Sequence, residues 1–193
     1  MSHAVKIRRY TLAEYLAMER EAEQRHEFID GEIFAMVGAS RIHNILVTNL
    51  TAAIRPHLRS TPCRIASRDM KVLIEAANRS YYPDLVVSCG DASREVDAYT
   101  ETRPRLIIEV LSPSTASVDR REKRLAYQQL DSLQDYVLVS QHEARVEVFS
   151  REETGWMHTV YGADETVVLR SIDLHLAGAV IFEDVLDAGV PEK

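Results

Sequence analysis

The chain has 193 residues, of which 46% are hydrophobic and 27% are charged, and its formal net charge is −7. This composition predicts one globular domain over residues 1–193, and the absence of a long apolar run or a leader argues against a membrane span or export, so we expect a cytoplasmic protein. The acidic balance also disfavours strong sequence-independent binding to nucleic acid, which depends on Lys and Arg.

Two cysteines, Cys63 and Cys89, stand apart in the sequence without a CxxC or a Cys/His cluster. Such isolated cysteines give neither the spacing of a zinc site nor a disulfide framework. We therefore expect two reduced thiols in or near the core.

The first part of the chain predicts two helices with a hairpin between them. Thr11 and Glu14 have the capping-box spacing, which indicates a helix over about residues 11–22. The pair Asp30-Gly31 between two apolar stretches indicates a hairpin through about residues 25–37. Ser40 is expected to cap a second helix with an apolar face, which ends or kinks at Pro56.

The remainder predicts a mixed sheet. A polar surface loop over residues 90–104 connects two apolar strands, and the order strand, helix, strand over residues 106–140 is typical of a βαβ crossover. The predicted elements are strands near residues 64–66 and 70–75, a strand that begins at residues 83–84, a strand from residue 106 to 111, a helix over residues 118–130, strands over 135–140, 145–151, 156–161 and 166–169, and a last helix near 182–186.

Each of two predicted strands carries one carboxylate: Asp84 in Tyr81-Tyr82-Pro83-Asp84-Leu85-Val86-Val87, and Glu109 in Leu106-Ile107-Ile108-Glu109-Val110-Leu111. An unpaired charge is costly in a buried strand, and a divalent cation shared by the two would compensate. Hard oxygen ligands suit Mg²⁺ or Mn²⁺, and the backbone carbonyl of Val110 is a candidate third ligand. The alternative is that Asp84 begins a turn and Glu109 pairs with an arginine.

A small basic cluster follows the second carboxylate in sequence. Arg120, Arg121, Lys123 and Arg124 lie within one short predicted helical stretch. Such a patch can engage the phosphates of nucleic acid even in an acidic protein. The cluster and the two carboxylates together favour a metal-dependent nuclease.

These motifs resemble a known family. Pro83-Asp84, the run Glu109-Val110-Leu111-Ser112-Pro113-Ser114-Thr115, and then Asp119, Lys123 and Tyr127 are similar to the Uma-two family of the PD-(D/E)XK restriction-endonuclease-like superfamily. The resemblance includes Glu27-Phe28-Ile29-Asp30-Gly31-Glu32 and His43, and it covers most of the chain. It implies an α/β fold with a mixed sheet flanked by helices, an acidic pair that binds Mg²⁺, and an endonuclease acting on nucleic acid, with DNA and a homodimer expected by analogy.

The chain departs from the superfamily pattern at one position. The lysine expected two residues after the second acid is replaced by Leu111. The resemblance implies that Lys123 takes over this catalytic role from the following helix, whereas the alternative is a solvated lysine on a basic helix face.

Three further side chains are candidates for auxiliary roles. The resemblance implies that Glu27 completes the metal shell, although Glu27 can also be read as an edge-strand residue and Glu32 competes for the role. His43 is a candidate for phosphate contact or proton transfer, or for a purely structural hydrogen bond. Tyr127, one turn after Lys123, is expected to pack or to orient the lysine.

Three functions remain open from the sequence. The leading one is a Mg²⁺-dependent endonuclease in which Asp84, Glu109, Lys123 and Glu27 act together. A second is a non-catalytic nucleic-acid-binding or dimerisation module that keeps the nuclease fold, which Leu111 and the acidic charge favour. A third is a metal-dependent hydrolase of a smaller phosphoester.

Overall fold

A computed structural model describes residues 8–36, 38–90, 98–112 and 115–185. Strands and short helices alternate through these residues. The strands are β1 (His26–Ile29), β2 (Glu32–Ala35), β3 (Cys63–Ser67), β4 (Lys71–Ile74), β5 (Arg79–Tyr81), β6 (Leu85–Cys89), β7 (Thr100–Glu101), β8 (Pro104–Leu111), β9 (Asp135–Ser140), β10 (Val146–Glu152), β11 (Gly155–Tyr161), β12 (Thr166–Leu169) and β13 (Leu174–Ala177). The helices are α1 (Leu12–Glu21), α2 (Arg41–His57), α3 (Ala116–Val118), α4 (Arg124–Tyr127) and α5 (Gly178–Ile181), with a π-helical turn (Asp119–Lys123) between α3 and α4 and 3₁₀ turns at Glu75–Ala77 and Arg170–Ile172.

The strands form a six-stranded sheet in the order β11-β10-β9-β8-β6-β3, a five-stranded sheet in the order β2-β1-β5-β4-β7, and the pair β12-β13. Strands β8 and β9 run parallel, and the segment from α3 to α4 connects them. The predicted mixed α/β fold with a strand–helix–strand unit is therefore confirmed.

The central strand β8 separates two apolar layers. Leu106 and Ile108 belong to the cluster that includes Leu50 of α2, whereas Ile107 belongs to the cluster that includes Tyr127 of α4. This alternation follows from the period of two along a strand, since successive side chains point to opposite faces. Helix α2 and the α3–α4 segment therefore pack on opposite faces of the same strand.

Helix α1 and the first hairpin form as predicted. The side chains and backbone N–H groups of Thr11 and Glu14 make both hydrogen bonds of the capping box. Tyr15 of α1 stacks on Phe28 with ring centroids 5.0 Å apart, and its hydroxyl donates to the carbonyl of His26 at 2.7 Å. Because these contacts join α1 to β1, they fix the strand that carries Glu27.

The turn of this hairpin depends on a glycine. Asp30 and Gly31 have φ values of 50° and 92°, so both have the positive φ that short hairpin turns favour. A Cβ atom on Gly31 would lie 3.2 Å from the carbonyl oxygen of Tyr10. Gly31 is therefore needed both for its conformation and for a close backbone approach.

Replacing Gly31 with alanine is expected to lower the free energy of unfolding by about 1–2 kcal/mol, because a side chain at this φ is strained. Urea unfolding followed by circular dichroism measures the change. Gly38→Ala is the matched control, since a Cβ atom there meets nothing within 4 Å. Equal stability of the two variants would contradict the expected strain.

Several predicted bounds differ from the observed ones. Helix α2 includes Pro56 in its last turn and ends at His57. The predicted loop over residues 90–104 contains β7, whose two buried residues pair with β4, while residues 91–97 lie outside the described part. The helix predicted over residues 118–130 is the segment from α3 to α4. The last helix, α5, precedes the predicted range 182–186.

The expectation for the cysteines is wrong. Cys63 and Cys89 are directly opposite in the antiparallel pairing of β3 with β6, and their sulfur atoms form a disulfide. Their separation of 26 residues contains no signal for this pairing, because it depends on the register of the two strands. The bond joins the edge strand β3 to the strand that follows Asp84.

None of the helices in the described part of the chain has both the length and the apolar character of a membrane-crossing segment.

Candidate active site

The two carboxylates singled out from the sequence lie on neighbouring parts of one sheet, since Asp84 directly precedes β6 and Glu109 lies on β8. Strands β6 and β8 are antiparallel, and the pairing of Leu85 with Ile108 places Asp84 beside Glu109. Asp84 is 9% exposed and Glu109 is 4% exposed. Both line one pocket of about 250 Å³. The two carboxylates thus lie side by side, as a cation shared between them would require.

Asp84 is oriented by two contacts to its Oδ2 atom. The backbone N–H of Val110 donates to this oxygen at 2.8 Å, and Nε2 of His43 lies 3.1 Å from it. His43 is buried in the first turn of α2, and its Nδ1 has no hydrogen-bond partner among the described residues. These two contacts fix the orientation of the Asp84 carboxylate. Neither of them involves its Oδ1 atom.

The N-terminus of α2 is itself tied to the end of β8. The Ser40 side chain accepts a hydrogen bond from the backbone N–H of His43 at 3.0 Å, and its hydroxyl donates to Oε1 of Gln141 at 2.6 Å. Gln141 donates in turn to the carbonyl of Leu111 at 2.9 Å. This chain of hydrogen bonds fixes the position of His43 relative to Val110 and Asp84.

Lys123 is buried among carboxylates. Its Nζ atom lies 2.9 Å from Oε1 of Glu27, 3.4 Å from Oε1 of Glu109 and 3.4 Å from Oδ1 of Asp119. Burial opposes the charge, but the three carboxylates raise the pKa of Lys123 well above its ordinary value. The reading of Lys123 as a solvated surface lysine is therefore wrong, and Glu27 is a partner of Lys123 rather than a free edge residue.

Leu111 occupies the position at which the sequence resemblance predicts a lysine. Leu111 lies two residues after Glu109 and is 4% exposed, in the same apolar cluster as Ile107 and Tyr127. The helical segment α3–α4 packs on this face of β8. The side chain of Lys123 therefore contacts Glu109 from the same face of the strand. Asp119 and Lys123 lie at the two ends of the π-helical turn in this segment and contact each other; such turns occur often at functional sites.

The pocket is strongly acidic. Burial raises the pKa of Glu109 well above its ordinary value; Lys123 lowers it, and the neighbouring carboxylates of Asp119, Asp84 and Glu27 raise it further. The hydroxyl of Tyr127 donates to Oε1 of Glu109 at 3.3 Å, so Tyr127 contacts Glu109 through a hydrogen bond. Because burial and like charge both oppose ionisation of Glu109, a bound cation would stabilise its charged form.

The charges of the pocket fit a divalent cation. Its lining carries four carboxyl groups, which outnumber the two side chains of Lys123 and Arg68. Oδ1 of Asp84 and Oε2 of Glu109 take no part in the contacts described above. Carboxylate oxygens are the ligands that Mg²⁺ and Mn²⁺ prefer.

No three His, Cys, Asp or Glu side chains converge into a ready-made cation site within residues 8–36, 38–90, 98–112 and 115–185. Two groups of contacts already engage these carboxylates. The Lys123 ammonium binds Glu27, Glu109 and Asp119, while Asp84 is held by His43 and Val110. The residues that could hold a cation together are therefore Asp84 and Glu109, with the Val110 carbonyl as the predicted third ligand.

The arginines of the predicted basic cluster point elsewhere. Arg120 donates to Oε1 of Glu147 at 2.9 Å, and the Arg124 guanidinium lies 4.9 Å from the centroid of the Phe149 ring. Arg121 is exposed to solvent. None of the three lines the pocket, whereas Lys123 does. Contact of these arginines with nucleic acid stays a prediction.

Sequence reasoning did not assign a site role to Asp119, Ser40 or Gln141. Asp119 had a usable signal, because a carboxylate four residues before a lysine can pair with it on a helix. Ser40 was recognised only as a helix cap. Gln141 had no signal, because its contact with Ser40 joins residues 101 positions apart.

A family model described as "Uma2: Putative restriction endonuclease" matches residues 12–179 of the chain. Two relatives from Synechocystis sp. are each 35% identical to it. "Uncharacterized protein slr1290" matches over 170 residues, which cover 88% of this chain and 89% of that protein. "Uncharacterized protein sll1609" matches over 142 residues, which cover 73% and 80%.

A solved structure has a similar fold. It is described as a crystal structure of "a putative nuclease belonging to DUF820" from Anabaena variabilis, and its TM-score is 0.74 at 21% sequence identity. The match covers 90% of this chain and 97% of that one. At this identity the similarity shows a shared fold, and the family description supports a nuclease-like function.

Proposed function

Because the chain belongs to the Uma2 family, we propose that it is a Mg²⁺- or Mn²⁺-dependent endonuclease that hydrolyses phosphodiester bonds of nucleic acid, with DNA as its substrate. The observation that carries the proposal is the contact of Lys123 with Glu109 at 3.4 Å inside a pocket that also contains Asp84. This pocket combines two candidate cation ligands with a buried ammonium group, and the proposed reaction needs both.

Asp84 and Glu109 would hold the cation, assisted by the Val110 carbonyl. When bound, such a cation polarises a phosphoryl oxygen and lowers the pKa of a water molecule. His43 contacts Asp84 at 3.1 Å and so keeps this carboxylate in one orientation. The donor set consists of hard oxygens, which fits Mg²⁺ and gives no reason to invoke a softer metal.

Lys123 supplies the fixed positive charge of the proposed site. Phosphodiester hydrolysis builds negative charge on the phosphoryl oxygens, and a positioned cation in a buried site stabilises that charge. The raised pKa of Lys123 keeps its ammonium protonated at neutral pH. Glu27 and Asp119 hold the ammonium in place, so their role in the proposal is to position Lys123 rather than to react.

Metal binding tests the first half of the proposal. Calorimetric titration of the wild-type protein with Mn²⁺ is expected to show binding, and Asp84→Ala is expected to weaken it at least about tenfold because one charged ligand is lost. Asp164→Ala, which alters an exposed aspartate of a turn, is the matched control. Absence of binding in the wild type, or unchanged binding in Asp84→Ala, would remove the basis of the metal site.

A substrate panel tests the second half. Single-stranded DNA, duplex DNA, RNA and a small phosphodiester are incubated with the protein and Mg²⁺ or Mn²⁺, and chelation with EDTA is expected to stop cleavage. Nucleic-acid binding without cleavage of any substrate would favour the non-catalytic module. Cleavage of the small phosphodiester alone would favour the smaller-substrate hydrolase. The homodimer is part of the proposal, and sedimentation measures it.

A further inference from the structure

Phe34 is a large aromatic side chain that the core does not use. It is 46% exposed, and it belongs to neither of the two apolar clusters. It lies on β2, the edge strand of the five-stranded sheet. It nevertheless lines the same pocket as Asp84 and Glu109. Packing therefore gives no reason for an aromatic residue at this position.

The register of the hairpin places Phe34 next to the reacting groups. Phe34 is the direct partner of Glu27 across β1 and β2, so the two side chains lie on the same face. The next pair, Phe28 with Ile33, faces the other way, and Phe28 is fully buried. Since Glu27 holds Lys123 at 2.9 Å, the Phe34 ring stands beside the charged end of the pocket.

Other residues that line this pocket are apolar or basic. Met36, Gly38 and Ala39 continue the apolar wall, and Arg68 lies on the lining as well. The Arg68 backbone is held at a positive φ of 38°, and its N–H donates to the carbonyl of Asp84 at 3.2 Å. Among the described residues no carboxylate pairs with the Arg68 guanidinium. One pocket thus joins an aromatic surface, an arginine and the acidic centre.

We propose that Phe34 stacks on an unpaired base next to the scissile phosphate while Arg68 contacts a neighbouring phosphate, so that the substrate is single-stranded or locally unpaired nucleic acid. This inference rests on the proposed function. In a duplex both faces of each internal base are covered by its neighbours, so a protein ring stacks more readily on an unpaired base than on one that must first be unstacked.

Two physical features support this substrate class. The two carboxylates are nearly buried, and a flexible single strand enters a recess of about 250 Å³ more readily than a rigid duplex. The net charge of −7 also weakens attraction to the dense phosphates of a duplex. Stacking on an aromatic side chain contributes affinity that does not depend on net charge.

Binding without cleavage tests the inference. A short fluorescent oligonucleotide with cleavage-resistant phosphorothioate linkages is titrated in Mg²⁺, either single-stranded or annealed to its complement, and anisotropy gives Kd. Phe34→Ala is expected to raise Kd for the single strand about five- to a hundredfold, the loss of one base–aromatic stack. The Kd for the duplex is expected to change less than about twofold, as for an ordinary surface substitution.

Two further variants separate stacking from general effects on the fold. Phe34→Trp keeps an aromatic ring and is expected to restore single-strand affinity. Val160→Ala removes a similarly exposed apolar side chain from β11 and is expected to leave both Kd values unchanged. Equal weakening of single strand and duplex by Phe34→Ala, no weakening of either, or tighter duplex binding by the wild type would overturn the inference.

The same data distinguish failure of the inference from failure of the proposed function. If the wild type binds the single strand through Phe34 but cleaves no unmodified substrate, the inference holds and the endonuclease proposal fails. If the wild type cleaves nucleic acid and Phe34→Ala binds as the wild type does, the endonuclease proposal holds and the inference fails. If the wild type binds no oligonucleotide, both fail.

Discussion

Replacing Lys123 with methionine is expected to lower the free energy of unfolding by about 3–5 kcal/mol, because it removes one partner of a buried ion cluster and leaves the other charges uncompensated. Lys123 is 6% exposed and contacts Glu27, Glu109 and Asp119. Methionine keeps the length and helix propensity of lysine, so the loss of charge dominates the change. Urea unfolding of both proteins measures it.

The same substitution is expected to reduce cleavage at least about a thousandfold, since the fixed positive charge of the site contributes several kcal/mol to the transition state. Cleavage is measured under conditions where circular dichroism shows the variant to be folded. Arg55→Met, which alters an exposed arginine of α2 outside the pocket, is the control and is expected to behave as the wild type. Wild-type cleavage by folded Lys123→Met would exclude the catalytic role of this lysine.

Glu109→Gln is expected to have a comparable effect on cleavage and the opposite effect on stability. It removes a proposed cation ligand, so cleavage is expected to fall at least about a thousandfold. It also removes a buried charge from a pocket with three other carboxylates, which is expected to increase the free energy of unfolding by about 1–2 kcal/mol at pH 8. Lys123 keeps Glu27 and Asp119 as partners in this variant.

The stability gain of Glu109→Gln depends on pH. Burial raises the pKa of Glu109 above its ordinary value of 4.5, so the folded state binds this proton more tightly than the unfolded state. Wild-type stability therefore falls as the pH rises from 4.5 through the folded-state pKa, and the glutamine variant lacks this loss. Its advantage is expected to grow over that window and to vanish below it.

Added metal is expected to reduce the stability advantage of Glu109→Gln over the wild type. Added Mn²⁺ is expected to stabilise the wild type, which binds it in the folded state, and to leave Glu109→Gln unchanged. Thermal unfolding with and without Mn²⁺ measures both effects, and Glu143→Gln, an exposed glutamate, is the control. A variant that is less stable than the wild type at every pH would show that Glu109 is a net stabilising charge.

Much of the fold was predictable because it depends on local signals. The Thr11 capping box, the Asp30-Gly31 turn and the apolar strand around Glu109 each specify their own conformation within a few residues. The disulfide of Cys63 with Cys89 and the short strand β7 depend instead on the pairing of distant segments. No local pattern encodes such a pairing, so these features were missed.

Residues of the candidate site also differ in whether the local sequence indicates them. Asp84 and Glu109 were recognisable because each lies in or beside an apolar run, and the resemblance to a family indicated Lys123. Two other pocket residues were not recognisable, since Gln141 and Phe34 reach the pocket only through tertiary packing and strand register. For Asp119, the sequence indicates the four-residue spacing from Lys123 but not that the side chain is buried.

The two-residue turn of the first hairpin gives a consequence for the design of variants. Glu27, which positions the lysine, and Phe34, the proposed base platform, face each other across one short ladder closed by Asp30 and Gly31. A slip of one residue in this ladder would turn one of the two away from the pocket and break their alignment. Insertions or deletions in the turn would therefore alter the position of Lys123 and the proposed base stacking at the same time. Substitutions of single side chains are needed to measure the two effects separately.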